Sequence, residues 1–391
     1  MRILHFHPGI MLETGGVVRA VLDLCAGLAR AGLDVTLLTG SARDVPEAWR
    51  RPGSGLPRVY DVGPLTQGSA LLGKSGRREM ARHIHEAHVL HLHGMWNPSN
   101  WQVAALARRA GRPYIYSVHG MLDDWCMAQR RFKKRLYLAG GGRRMLHRAA
   151  AVLCTARAEL EQSHKWFPRG RGEVLPLPMD LGPFTDLPGP QIARQKFEGV
   201  AGEGPRVLFL SRLHVKKGVE SLIHAAQRLH GANAATRLLI AGTDLEHGAY
   251  ERRLRELTSG LGLDDAVRFL GFVSGVEKVS LYQAADVFIL PTSQENFGFV
   301  LFEALAAGTP VITTRGADTW PELEASGGAI IAEASPQALA AAMSALLADA
   351  PRRRAMGEAG RRWVFEHLTE AAIIGQYADL YRRAVAESRR A

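Results

Sequence analysis

The run Pro291-Thr-Ser-Gln-Glu-Asn-Phe-Gly-Phe-Val-Leu-Phe-Glu-Ala-Leu-Ala-Ala-Gly-Thr-Pro-Val311 carries two carboxylates, Glu295 and Glu303. From Phe297 to Ala307 only Gly298 and Glu303 break the apolar sequence, so a helix formed there is buried almost all round. Glu303 inside such a helix is costly unless a partner satisfies it. Asn296 or Ser293 is the expected N-cap, and Gly308-Thr309-Pro310 the expected stop. Glu295 then falls in the loop before the helix, directly after the apolar strand Val287-Phe-Ile-Leu-Pro291. For either acid alone, a core helix with an arginine partner is the simpler account. A pair bracketing a helix start after a buried strand points instead to a ligand site, because open parallel sheets bind ligands in the loops at the carboxyl ends of their strands.

The same grammar extends outward in both directions. Strand-like runs at 2–7, 33–39, 58–62, 88–93, 113–118 and 150–154 alternate with helical patterns at 17–31, 77–86, 98–110 and 130–147. A second series follows, with strands at 206–211, 236–241, 267–271, 286–290, 310–313 and 328–331. Its helices fall at 218–230, 248–260, 275–284, 298–307 and 336–348. Alternation of this kind predicts an α/β chain of two Rossmann-like domains with parallel sheets. The Pro- and Gly-rich stretch 176–205 is the expected linker. The domains are placed at 1–183 and 184–366, followed by a terminal helical segment, 367–391. A length of 391 residues suits two such units.

Composition removes several function classes. No apolar run reaches the roughly 18 residues of a membrane span, and the start, Met1-Arg-Ile-Leu-His-Phe-His-Pro8, reads as a strand and not a signal peptide. Cys25, Cys126 and Cys154 are too dispersed for a disulfide framework or a cysteine zinc site, and are expected as core thiols in a reducing, cytoplasmic setting. The net charge of +11 is lopsided. Residues 1–183 hold 26 Lys and Arg against 14 Asp and Glu, and the remainder 23 against 24. The first half therefore calls for an acidic partner: nucleic acid, an anionic membrane or a phosphorylated substrate.

Four further stretches carry chemistry. Gly15-Gly16, at the start of the first helix, frees backbone N–H groups for a phosphate, although a plain turn explains them equally well. His91-Leu-His93-Gly94 and Ser117-Val-His119-Gly120 each put a histidine at the end of a strand. His119 is the stronger candidate, with Asp123, Asp124 and Trp125 behind it to line a pocket; a zinc site is the second reading. Residues 130–148 contain seven Arg and Lys in their first fifteen and no acid, with Phe132 and Leu136 on one face and Gly140-Gly141-Gly142 as a break. That pattern fits either a solvated basic face or an anionic membrane surface; nucleic acid is not expected, because no interleaved aromatic platform accompanies the charge. Arg212 at a strand end and Lys217-Gly218 at the next helix start converge as a diphosphate site.

Taken together, Gly15-Gly16, His119, Ser211-Arg212-Leu213 with Lys217-Gly218, and Glu295-Asn-Phe-Gly-x-Val-x-x-Glu303-Ala-Leu-Ala-Ala-Gly-Thr-Pro-Val resemble the family 4 retaining glycosyltransferases of GT-B fold over almost the whole chain. The segment 117–123 is similar to a subgroup of bacterial surface and exopolysaccharide enzymes. The resemblance implies two domains facing across a cleft, a C-terminal helix crossing back to the first domain, and no metal or other cofactor beyond a nucleotide-sugar co-substrate. It implies that Arg212 and Lys217 hold the donor diphosphate with Gly16, that Glu303 accepts from the ribose, and that Phe272 and Val273 meet the base. Glu295, Asn296, Phe297, Gly298 and Val300 would bind the donor sugar, with His119 beside the anomeric carbon. The acceptor would be a saccharide or lipid-linked hydroxyl at the cytoplasmic face of the inner membrane. Arg19 departs from the pattern of many relatives. A nucleotide-sugar epimerase of the same shape and a non-enzymatic tether are the competing readings.

Overall fold

The computed structural model describes every residue except 15, 52, 54, 67–69, 233–234, 245–247 and 391. Its described residues form two units, Met1–Pro178 with Glu370–Ala391, and Met179–Thr369.

In the first unit the strands are β1 (Arg2–His7), β2 (Asp34–Thr39), β3 (Arg58–Asp61), β4 (Val89–His93), β5 (Tyr114–Ser117), β6 (Ala151–Cys154) and β7 (Gly172–Val174). They pair in parallel in the order β3-β2-β1-β4-β5-β6-β7, with Ile3 opposite both Val35 and Val89. The second unit holds β8 (Arg206–Leu210), β9 (Arg237–Ala241), β10 (Val267–Gly271), β11 (Val287–Leu290), β12 (Val311–Thr313) and β13 (Ala329–Ile331), parallel in the order β10-β9-β8-β11-β12-β13. Every residue of β4, β5, β6, β8 and β11 is buried, as expected of parallel strands covered by helices on both faces. Strand order reverses between β1 and β4 and again between β8 and β11. The crevice at such a reversal is where open α/β sheets bind ligands.

The terminal helix Glu370–Ser388 belongs to the first unit, as the resemblance implied. Its buried face is Ile373, Ile374, Tyr377, Leu380 and Tyr381. It packs on the helix Gly16–Arg30, where a Cβ on Gly27 would lie 2.7 Å from Ile374 Cδ1. At the surface Arg30 donates to both Glu370 carboxylate oxygens at 2.8 Å.

Three local expectations change. Only the first residues of 176–205 act as a connection: the units meet at 178/179 and 369/370, where the sequence reading set 183/184 and 366/367. Beyond Pro178 the stretch is folded onto the second unit, with Phe184 and Val200 buried and the Ala193 N–H donating to Ser280 Oγ at 2.9 Å. Its prolines shape a packed segment that punctuation alone made look free. The short strand β7 and the helices Arg157–Ser163 and Trp320–Ala325 carry too few residues to show a period. The glycines 140–142 fall in a π-type turn, Leu138–Gly142, between the helices Arg131–Tyr137 and Arg143–His147, with Gly141 against the Trp101 ring.

Candidate functional site

In the second unit the loops after β8 and β11 meet at the strand-order reversal. The Ser293 N–H donates to Lys216 O at 2.7 Å, and the Thr292 hydroxyl to the same carbonyl at 3.0 Å. Gly218 has φ +72°, and a Cβ there would lie 2.2 Å from Pro291 O, so only glycine lets the two loops approach this closely. This places Lys217, buried at 3% exposure, in an ion pair with Glu295. The two residues are 78 apart in sequence, and nothing in either motif alone announces the pairing.

Glu295 is fixed from behind as well. Its N–H donates to Gly316 O and its carbonyl accepts from the Asp318 N–H, both at 2.8 Å. The Thr319 hydroxyl donates to Phe297 O at 2.9 Å. The 316–319 loop after β12 is therefore part of the support, and the sequence reading missed it because none of its residues belongs to a recognisable motif. The expected caps are not used. The helix Phe299–Ala306 begins from Gly298 in the left-handed conformation, φ +71°, with no side-chain cap, while Ser293 Oγ turns to Lys216 O and Asn296 Nδ2 reaches Asp318 Oδ2 at 3.5 Å. No described residue accepts from the N–H groups of Phe297, Gly298, Phe299 or Val300, which leaves an open helix N-terminus beside Glu295. The Phe297 side chain is buried against Phe299 and Phe302, so this residue can offer a ligand only its backbone.

Glu303 lies one and a half turns inside the same helix. Its partner is not an arginine. Lys278 Nζ donates to Oε1 at 2.7 Å and the Tyr282 hydroxyl to Oε2 at 2.9 Å, both from the helix Gly275–Ala284. Burial and the adjacent carboxylate push the Tyr282 phenol well above its usual range, so it remains a donor. Arg212 is exposed and makes no hydrogen bond or ion pair with a described residue. Phe272 is 77% exposed beside β10, whereas the Val273 side chain is buried, so of that pair only Phe272 presents its side chain outward.

The first unit holds the remaining predicted residues. Gly15 lies outside the described residues; Gly16 opens the first helix at the surface, and Arg19 pairs with Asp23 one turn on at 3.0 Å. His119 follows β5 with φ +51°, a conformation uncommon for non-glycine residues, and Gly120 follows at +72°. The turn is held by Glu159, fully buried, which accepts from the Gly120 N–H at 2.5 Å, the Thr155 N–H at 2.6 Å and the Thr155 hydroxyl at 2.8 Å. Glu159 escaped the sequence reading because it sits in a seven-residue helix with no period.

Asp123, expected to line a pocket, is turned to the backbone. It is buried and caps the helix Asp124–Ala128 through the Cys126 N–H, while Asp124 pairs with Lys165. Cys25 and Cys154 are buried as expected, but Cys126 is half-buried, with Lys134 Nζ 3.1 Å from its sulfur. His5, His91 and His93 bring ring nitrogens within 4.8 Å of one another. Two of them face each other as hydrogen-bond partners: His5 Nδ1 lies 2.9 Å from His93 Nε2, closer than the roughly 3.3 Å between two ligands about 2.0–2.1 Å from one tetrahedral zinc. Both nitrogens of His91 are engaged, by Tyr381 OH at 2.8 Å and Ser117 Oγ at 2.7 Å.

Residues 191–363 match the family described as Glycosyl transferases group 1, and residues 15–178 match the Glycosyl transferase 4-like domain. The chain is 32% identical over 273 residues to the GDP-mannose-dependent alpha-(1-6)-phosphatidylinositol monomannoside mannosyltransferase of Mycolicibacterium smegmatis, covering 67% of this chain and 68% of that protein. It is 27% identical to the D-inositol 3-phosphate glycosyltransferase of Stackebrandtia nassauensis over 97% of this chain and 90% of the other. Its fold superposes on sucrose-phosphate synthase from Thermosynechococcus elongatus with a TM-score of 0.74 at 22% identity, over 99% of both chains. The two sequence relatives are named as a mannosyltransferase and a glycosyltransferase, which supports that reading over an epimerase or a tether. With two parallel-sheet α/β units, a terminal helix returned to the first, and matches spanning both halves, the chain belongs to the family 4 glycosyltransferases of GT-B fold and is an enzyme of that class.

Proposed function

We propose that the enzyme moves a hexose from a nucleoside-diphosphate sugar to a hydroxyl of a saccharide or lipid-linked acceptor. The observation that carries this reading is the buried Lys217–Glu295 pair at the β8/β11 reversal, flanked by the exposed Arg212 and an open helix N-terminus. A diphosphate entering beside Lys217 and Arg212 takes up their positive charge, and Glu295 is released toward the sugar hydroxyls. Charge-assisted hydrogen bonds of this kind contribute about 1.5–3 kcal/mol each. In the reaction the bond from C1 to the diphosphate oxygen breaks as the bond from C1 to the acceptor oxygen forms. The acceptor proton passes to the departing phosphate oxygen on the same face, which retains configuration. Fixed cations stabilise the leaving charge where it develops, so the chemistry needs no metal. Glu303 holds the ribose and Phe272 lies against the base; for His119 and Gly16 the reading keeps the donor contacts that the family resemblance implies. The relatives named for GDP-mannose and inositol phosphate agree with a nucleotide-sugar donor and a polar acceptor.

The test is nucleoside diphosphate release from UDP-glucose, UDP-galactose and GDP-mannose, with and without a panel of glycoside and polyprenyl-phosphate-linked acceptors. Release from one donor that depends on acceptor is expected. Conversion of donor to its epimer without acceptor would overturn the reading.

The proposal extends to an anionic membrane surface at residues 130–148. Phe132 and Leu136, four apart, are 80% and 63% exposed. Arg143, Arg144, His147 and Arg148 line an open cavity of about 500 Å³ with Arg169, and these arginines have no acidic partner among the described residues. Among the described residues no helix is long and apolar enough to cross a membrane, so this surface would act from one side. Vesicles rich in phosphatidylglycerol should sediment the protein at low salt, with binding lost at high salt and weakened by Phe132→Ala. Equal binding to neutral vesicles, or none to anionic ones, would remove the membrane from the proposal.

A further inference from the structure

Three buried imidazoles of the first unit lie end to end. His5 Nδ1 is 2.9 Å from His93 Nε2, and His93 Nδ1 is 3.2 Å from His119 Nε2. The ring planes of His5 and His93 are tilted by 11° with centroids 5.2 Å apart, and those of His93 and His119 by 26° with centroids 5.5 Å apart, separations that put the bonded nitrogens on the line between the ring centres. Each contact therefore runs in the plane of both rings, as an N–H to lone-pair bond requires. One end of the row is closed: His5 Nε2 is buried and has no partner among the described residues. The other end is His119, whose Nδ1 is not engaged by any described residue.

We infer that His93 and His5 are positioning residues that fix the tautomer of His119, so that it carries its proton on Nδ1 and meets the donor as a hydrogen-bond donor. The row admits only two polarities. In one, His119 Nε2–H donates to His93, His93 Nε2–H donates to His5, and the last proton is left on His5 Nε2, buried with no acceptor. In the other, His5 Nδ1–H donates to His93 Nε2, His93 Nδ1–H donates to His119 Nε2, and the closed end is a lone pair. Orphaned buried N–H groups are rarer than under-satisfied acceptors, which selects the second polarity. The closed end also means that the row cannot carry a proton through to a second site; it can only set a direction.

The surroundings hold the row neutral. Burial takes His5 and His119 down to about 3, and pushes His93 well below its usual value. The titratable groups around the row include His7, taken down to about 4 with Nδ1 on Gly9 O at 2.8 Å, His91, neutral and bonded to Tyr381 and Ser117, and Tyr381, whose ring lies edge-on to His5 and whose phenol burial keeps protonated; the Glu159 carboxylate is turned to the Gly120 and Thr155 N–H groups. The first three are neutral, and Glu159 engages backbone and hydroxyl donors, not a ring nitrogen of the row. The left-handed turn at His119, pinned through Gly120 by Glu159, keeps Nε2 turned to His93. His119 thus works as a neutral donor with a set direction and not as a general base.

The consequence for catalysis rests on the proposed contact of His119 with the donor sugar; the tautomer itself does not. Long-range ¹H–¹⁵N correlation spectra of the full chain labelled at histidine read the tautomer directly, before any substrate is added. His119 is expected with its proton on Nδ1 in the wild type. In His93→Leu it should shift toward the Nε2–H form that free imidazole prefers, with kcat for the donor panel falling about tenfold or more while UDP affinity is unchanged. His93→Asn keeps a donor close to the position of Nδ1 and should restore both. A wild-type His119 protonated on Nε2 overturns the inference. So does stoichiometric zinc uptake that shifts His5, His91 and His93 together. If the tautomer is as expected but His93→Leu turns over normally, the tautomer stands and the sugar contact of His119 fails. Should His93→Leu not fold, the wild-type spectrum still decides the polarity, and His93→Asn supplies the kinetic comparison.

Discussion

Lys217→Ala should lower transfer by about 10²–10³-fold, the loss seen when one preorganised donor to a developing anion is removed. In the proposed reaction the ammonium, already buried and held in place, would cost little reorganisation as the diphosphate departs. Its removal also strands Glu295, whose side chain is only 22% exposed, next to the incoming diphosphate. Repulsion between the two anions adds to the lost attraction. Glu295→Gln should behave in the opposite sense toward the nucleotide. Freed from its carboxylate, Lys217 offers its full charge, so UDP or GDP binding is kept or tightened while transfer falls with the sugar contacts. Calorimetric titration of both variants with nucleoside diphosphate, beside acceptor-dependent release, separates these effects. Turnover of Lys217→Ala within threefold of wild type would place the diphosphate elsewhere.

Glu303→Ala should weaken nucleoside diphosphate binding by roughly 10- to 150-fold, equivalent to about 1.5–3 kcal/mol for a charged hydrogen bond. The loss should be specific to ribose. Wild-type enzyme is expected to prefer UDP or GDP strongly over the 2′,3′-dideoxy nucleotide, and the variant to bind the two alike. Stability should fall too, because the variant leaves the Tyr282 hydroxyl without its carboxylate and Lys278 without its counter-charge. An orphaned buried group costs about 1–3 kcal/mol. Glu303→Gln keeps an acceptor for Tyr282 and should melt closer to wild type while still losing affinity. A variant that melts lower yet binds ribose and dideoxyribose nucleotides as the wild type does would make Glu303 a structural acid, paired with a lysine where the simpler sequence account supposed an arginine.

Most of the fold was legible because parallel strands buried on both faces are written as unbroken apolar runs. Val207–Leu210 and Val287–Leu290 need no partner to be recognised, and the helix from Phe299 declares itself by composition. Legibility failed where an element is too short to show a period, as with β7 and the helix bearing Glu159, or where glycine and proline shape a packed segment instead of a free one, as beyond Pro178. The caps of the 299–306 helix were misread for a related reason. Ser293 and Asn296 have the chemistry of caps, but neighbouring loops claim their side chains, and Gly298 turns the chain without them.

By itself, then, the sequence determined the two-unit parallel architecture, the residues Arg212, Lys217 and Glu295 as polar groups in the loops after the strands, Glu303 inside the helix that follows, and His119 just past the end of β5. These follow from local composition and chain order, which one sequence records in full. Tertiary structure alone decided which groups act on one another: Lys217 with Glu295, Lys278 and Tyr282 with Glu303, Glu159 beneath the turn at His119, and the row His5–His93–His119. Partners such as these lie from 21 to 88 residues apart, and only the closing of the sheets brings them within hydrogen-bond reach.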